Sequence, residues 1–370
     1  MSSLLHSEVS GTEYSSPARS GTHSSPEIGP LYRPGWLDRL FAWVDRLPVP
    51  AWAFYAACWL PLMLAETLIK WLDGAYAVGT VFPIHAVHTA LPLYVLATAH
   101  YLDRLAEDKM QTFRSVFVGD ERVFERLRYE LTNAPARMAL LAGLTGAAGG
   151  ALVSALLPPG ITQAQKLFTS PASTILDTGI IMGLWALLAT VMYHTVRRLR
   201  LVSRIYTQHT HIDLFKVGPL YAFSTLTART ALAIMFALYA WFAVDPSPLL
   251  GNVPFAGAIA VFGFAALVTF ALPLLALHKL LAQEKHRLQD ENGEQIKNIV
   301  AELHRRVQAG ELTKSDEVEA ALNSLIAERE VLAKLRTWPW DTDTSRLVFT
   351  AAMLPMLLWL IQRTLERLGF

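Results

Sequence analysis

A stretch of about 23 residues, 255–277, is apolar throughout and runs without a break into HKLLAQEKHRLQDENGEQIKNIVAELHRRV. About 20 apolar residues are what a helix needs to cross the hydrocarbon core of a bilayer. A helix that leaves such a core and continues as a charged amphipathic one is a membrane helix entering water. The charged pattern stops at Gly310, restarts at Thr313 and runs to Arg336. An aromatic hinge, TWPWDTD, follows, and then a last apolar segment at 347–361.

The remainder supplies further apolar blocks. Spans are expected at about 51–69, 79–101, 136–157, 173–196, 220–244, 255–277 and 346–362. Apolar residues make up 53% and charged ones 17% of the chain, against about 45–50% and about 25% in soluble domains. The fold class is therefore all-α: a polytopic helical membrane protein of about seven transmembrane helices. An interfacial amphipathic helix precedes the bundle, and a cytosolic helical hairpin precedes the last span. The divisions are a disordered tail (1–34), the interfacial helix (35–47), six spans (48–280), the hairpin (281–337) and the hinge with the last helix (338–370). Residues 1–30 are rich in Ser, Gly and Thr and hold no apolar secretory h-region.

The interfacial helix places Trp36, Leu37, Leu40, Phe41 and Val44 on one face, and Asp38, Arg39, Asp45 and Arg46 largely on the other. Lys and Arg set the orientation. They crowd the connections after spans two, four and six, whereas the other connections hold only Lys70 and Lys166. The N-terminus is expected in the cytosol and the C-terminus on the opposite side. In the third span Gly143, Gly146, Gly150 and Ser154 form a small-residue face that suits close helix contact, within the chain or between subunits. The hairpin carries one stripe on Ile296, Ile299, Val300, Leu303 and Val307, and another on Val318, Leu322, Leu325, Leu332 and Leu335. The arms can cover each other, or join copies of the chain in a coiled-coil-like bundle. Gly293 marks a candidate kink, Gly310 a helix end, and Thr313 with Asp316 a capping pair.

Ionisable residues inside spans are costly and mark candidate sites. Glu66, His85, His88 and Asp177 all fall near the outer side, with the two histidines three apart on one helix face. Imidazoles with carboxylates suit a divalent metal such as zinc or non-haem iron, or a proton relay. No other cofactor is indicated. A second group, His100, His194 and His278, ends three spans near basic residues, where the helix dipole favours a cation. The sharper reading of that group pairs His100 with His194 as axial haem ligands. His209 and His211, two apart, make a poor bidentate pair. Arg229 either snorkels to the cytosolic face or meets a polar cavity with Ser224, Thr225 and Thr227. Together with Trp338, Trp340, Arg346 and Gln362 it forms the set of pore or gating candidates.

No Walker A loop, G-x-G-x-x-G, C-x-x-C, H-E-x-x-H or G-x-S-x-G is present, and net charge is only +1. Nucleotide-loop and serine-hydrolase chemistry lose their motifs, and no field points to nucleic acid. The expected partners are the lipid bilayer and further copies of the chain, with the ligand or ion open. In the number of its helices, and in an apolar ending with Gln362 in LLWLIQR, the layout resembles that of insect chemosensory channels. The functional readings, in order, are an oligomeric channel or membrane sensor whose hairpin couples to the last helix, a proton- or metal-coupled secondary transporter, and a membrane metalloenzyme. Against the transporter, no inverted repeat of Pro, Gly or charge spacing relates the first three spans to the next three.

Overall fold

The structure, a computed structural model, describes residues 31–156, 170–244, 253–310 and 315–339, and most positions from 346 to 361 together with Thr364. It is all-helical. Among the described residues no strand occurs, only isolated bridges at Pro34–Pro135 and Phe117–Thr210. The helices are α1 (Trp36–Val44), α2 (Ala51–Leu72), α3 (Pro83–Phe113), α4 (Glu121–Thr132), α5 (Ala136–Leu156), α6 (Pro171–Gln208), α7 (Ala222–Val244), α8 (Val253–Ala309) and α9 (Ser315–Lys334). The described positions between 346 and 364 are helical as well.

Among the described residues, four stretches are long and apolar enough to cross a membrane: Ala51–Leu72, Pro171–Gln208, Pro219–Ala237 and Ala266–Ala309. Helix α3 has the length but not the apolarity, because it carries His85, His88 and His100 among its apolar residues. The outer surfaces of the helices are apolar, with Trp52, Leu72, Ile175 and Phe264 all more than two-thirds exposed. The interior meanwhile holds Glu66, Lys70, two histidines and Asp177. An apolar exterior around an ionisable interior is the arrangement a lipid solvent selects.

Small residues set the closest helix contact. Helix α5 lies against α6, and a Cβ built on Gly146 would sit 2.4 Å from the Trp185 carbonyl oxygen. One on Gly150 would strike the Trp185 ring at 2.5 Å. Gly143 meets the same helix, a Cβ there falling 3.2 Å from Thr190 Oγ1, so the glycine face serves packing within the chain. Gly149 points to open space. Ser154, the last member of the small-residue face, lies outside the residues whose side chains are described.

Two expectations about helix ends are corrected. His100 and His194 do not close their helices, since α3 and α6 run on to Phe113 and Gln208, whereas α8 continues past His278 to Ala309 as its unbroken pattern predicts. The overshoots pack together. Met110 and Phe113 of α3, Phe124 and Leu127 of α4, Ile205 and Tyr206 of α6, Phe223 of α7 and Leu281 of α8 share one core. Helix α8 also passes unbroken through Gly293. A glycine there costs only about 1 kcal/mol relative to alanine, and the adjacent Asn292 is fixed to α9 through the Leu325 carbonyl (3.0 Å) and Glu328 (3.2 Å).

The hairpin stripes turn toward each other, burying Leu332 and half-burying Ile296, Ile299, Leu303, Val318 and Leu325. Gly310, at φ 73°, takes the left-handed conformation that ends α8. Thr313 lies outside the described residues. Beyond the bundle, Val348 packs with Ala228, Met235, Phe270 and Leu274, and Tyr239 donates a hydrogen bond to the Ala351 carbonyl.

Helix α1 docks on the bundle instead of resting only on a surface. Leu37 and Phe41 pack with Val95, Ala99 and Leu187. Asp38, expected on the polar face, is buried, and its Oδ2 accepts the Gly35 and Ala134 amides at 2.9 Å each. An acid in the third helical position satisfies an amide that the first turn leaves open.

Candidate functional site

The end of α2 and the starts of α3 and α6 meet around five buried ionisable side chains. Glu66 and Lys70 lie four apart near the end of α2, on one face. Pro83 opens α3 with its φ already helical, which puts His85 and His88 in the first turns. The hydroxyl of Ser170 accepts the Ser173 amide at 3.2 Å and starts α6, setting Asp177 two turns in. None of Glu66, Lys70, His85, His88 and Asp177 is more than 2% exposed.

Their contacts fall into two pairs. His85 Nδ1 meets Glu66 Oε1 at 2.5 Å, and Lys70 Nζ donates to Asp177 Oδ2 at 2.9 Å. His88 Nδ1 stands 3.6 Å from Glu66 Oε2, too far for a hydrogen bond. Glu66 Oε2, Asp177 Oδ1 and both ring nitrogens of His88 are buried without a hydrogen-bond partner. Ligand atoms of Glu66, His88 and Asp177 lie within 4.8 Å of one another. His85 is turned onto Glu66 and stands outside that trio. Thr89 donates to the His85 carbonyl (2.8 Å) and receives the Trp59 indole N–H (3.1 Å), fixing this part of α3 to α2. The Tyr76 ring covers His85 edge-on at 5.3 Å.

Each carboxylate thus keeps one oxygen bonded and the other unpartnered, and a buried polar atom without a partner is costly.

Lys70 is the member that sequence reasoning missed. Its place at the end of an apolar run suggested a connection, but its four-residue spacing from Glu66 already put both on one face.

A second ionisable group lies about 22 Å further along α3. Arg198 donates to Asp103 at 2.6 Å and to the Leu131 carbonyl at 3.2 Å. Arg197 donates to the Glu130 carbonyl (2.7 Å), the Asn133 carbonyl and the Tyr32 hydroxyl (2.7 Å). Burial pushes the Asp38 carboxyl up, against the pull of the Ala134 and Gly35 amides. It pushes Asp103 up to about 7, against the pull of Arg198. His194 Nδ1 is 3.8 Å from Asp38 Oδ1.

The haem reading does not survive. His100 has both ring nitrogens engaged, Nε2 with Asp45 at 2.9 Å and Nδ1 with Tyr55 at 3.2 Å, and it stacks on Phe41. It offers no nitrogen to iron.

Among the described residues, the gating candidates meet separate partners. Arg229 is exposed, with its guanidinium 5.6 Å from the Tyr101 ring. Thr227 and Ser224 donate to carbonyls of their own chain turn instead of lining a path with it. Trp338 stacks on His278 at 3.9 Å, and His278 Nδ1 lies 3.1 Å from the Thr337 carbonyl. Arg346 is exposed, and Trp340 and Gln362 lie outside the described residues.

Compared with protein-family models, curated proteins and solved structures, the chain finds no match.

Proposed function

We propose that the chain is a cation-coupled secondary transporter whose coupling site is the cluster of Glu66, Lys70, His85, His88 and Asp177. The observation that carries this reading is the convergence of two carboxylates, two imidazoles and one ammonium, none more than 2% exposed, among helices with an apolar exterior. Ionisable groups are expensive in a bilayer and persist where an ion uses them. Lys70 lies between two carboxylates, four residues from Glu66 on its own helix and bonded to Asp177 on another. It can compensate whichever carboxylate the cation leaves. A seven-span arrangement with a cytosolic N-terminus belongs to the same proposal, on the distribution of Lys and Arg.

The test is charge displacement by reconstituted protein on a solid-supported membrane, after jumps of pH and of Zn²⁺ or Mn²⁺. Wild type should give transient currents that Glu66→Gln abolishes. Absence of current on every jump from folded wild-type protein would sink the proposal.

An oligomeric channel or sensor is the second reading. It is favoured by the contacts that fasten the hinge and the last helix to α7 and α8, namely His278 with Trp338 and Tyr239 with Ala351. The hairpin arms cover their stripes against each other in part, burying Leu332 and leaving Val307 exposed.

A further inference from the structure

We infer that Glu66, His88 and Asp177 are the protein ligands of a divalent transition-metal site, and that His85 and Lys70 orient two of them. The inference rests on the cluster being the cation site and names the cation.

Ligand spacing comes first. Two ligands of one tetrahedral metal, each bonded at about 2.1 Å, stand about 3.4 Å apart. Glu66 Oε2 and His88 Nδ1 are already 3.6 Å apart without a hydrogen bond between them. Asp177 is within 4.8 Å of both residues' ligand atoms, so a contraction of about 1 Å completes three protein bonds.

The unpartnered atoms make the second argument. Buried polar atoms are ordinarily bonded, and each that is not costs about 1–3 kcal/mol. Here Glu66 Oε2, Asp177 Oδ1 and both His88 nitrogens lack partners, while the other oxygen of each carboxylate is taken. A proton held between His85 and Glu66 would satisfy only that pair. One metal ion would engage all three of the remaining residues together.

The supporting contacts agree. Metal-ligating groups are held by hydrogen bonds from a surrounding layer. His85 occupies Glu66 Oε1 and Lys70 occupies Asp177 Oδ2, leaving the opposite oxygens to face the gap. One imidazole with two carboxylates suits zinc, manganese or ferrous iron, whereas calcium and magnesium prefer all-oxygen sites. The only cysteine, Cys58, is absent from the trio. A dication with two carboxylates and Lys70 leaves one positive charge, which an anionic fourth ligand, such as hydroxide, would neutralise.

The experiment loads detergent-purified full-length protein with Zn²⁺ or Co²⁺ alone, after chelator treatment, and measures bound metal and the Co²⁺ absorption spectrum. Wild type should hold one ion per chain, and Glu66→Gln, Asp177→Asn and His88→Ala should lose it. His85→Ala should retain the Co²⁺ ligand-field bands while binding about 10–100-fold more weakly, because it acts through Glu66. Since single variants at a buried site can fail to fold, His88→Cys gives an independent reading. Its Co²⁺ form should show a thiolate-to-metal charge-transfer band absent from wild type. Folded wild-type protein that binds no metal overturns the inference, as does undiminished binding in the Glu66, His88 and Asp177 variants, which would place adventitious metal on other histidines. If pH jumps still displace charge in protein that binds no metal, a water fills the gap and the transport reading stands alone.

Discussion

The Glu66 cluster and the Asp38–Asp103 cluster are built on the same two helices, α3 and α6, and both bury charge. They treat their polar atoms differently. In the second, Arg197 and Arg198 spend their donors on carbonyls, a hydroxyl and a carboxylate, and one oxygen of Asp38 takes two amides. The result ties α1, the α4–α5 junction and α6 into one piece. Among the described residues the second still leaves Asp38 Oδ1 and His194 Nε2 unpartnered, whereas the first leaves Glu66 Oε2, Asp177 Oδ1, His85 Nε2 and both His88 nitrogens. Buried charge alone is therefore a poor sign of a ligand site. The informative sign is how many unpartnered atoms, from how many side chains, converge.

The largest effect that sharpens this contrast is expected at Lys70. Lys70→Met strands Asp177 as an uncompensated buried charge and should cost about 3–5 kcal/mol, read as a fall in the unfolding midpoint in mild denaturing detergent. Adding Asp177→Leu to it should recover most of that loss. A single variant as stable as wild type would mean that the pair is not buried as described. Gly146→Ala, on α5 where it meets α6, serves as a control that touches neither cluster. The new methyl would meet the Trp185 backbone, and overpacking of this kind costs about 1–3 kcal/mol.

Asp38→Ala should cost about 1–2 kcal/mol through the two amides it abandons. It should also expose the 32–38 segment to protease while leaving metal loading unchanged. Loss of metal with that variant would erase the distinction between the two clusters. A pH dependence separates the two clusters in another way. The folded protein holds a proton on Asp103 up to about pH 7, whereas the unfolded chain releases it near pH 4. The folded state binds more protons in that window, so stability should fall as pH rises from about 4 to 7. Asp103→Asn should flatten that part of the unfolding profile, and an unchanged slope would assign it to other groups.

Much of this was legible from residue spacing. Apolar run lengths placed the helices, Gly146 and Gly150 announced a close contact, and the inward stripes of the hairpin announced its pairing. Glu66, His85, His88 and Asp177 were visible together because a charge in a lipid-soluble segment stands out. Lys70 was not, since a lysine at the end of an apolar run can snorkel to water as easily as it can turn inward. Asp38 was hidden for a related reason. On a nine-residue helix the first-turn acid sits at the edge of the polar face, and only the approach of the Ala134 amide buries it. The overshoots of α3 and α6 were read as loops because their apolar residues are spaced among arginines. Their burial depends on α4, which the linear pattern does not place.

Helix α8 is 57 residues long, or about 86 Å at about 1.5 Å per residue, nearly three times the thickness of a hydrocarbon core of about 30 Å. Such a rod is a mechanical arm with its fulcrum at Leu274–Leu281, where Leu274, Leu277 and Leu281 on one face are fully buried. A swing of about 5° about that fulcrum carries the hairpin tip through roughly 4 Å. Displacements too small to disturb packing inside the bundle are thereby magnified at its far end, and a load applied there returns to the bundle with the same mechanical advantage.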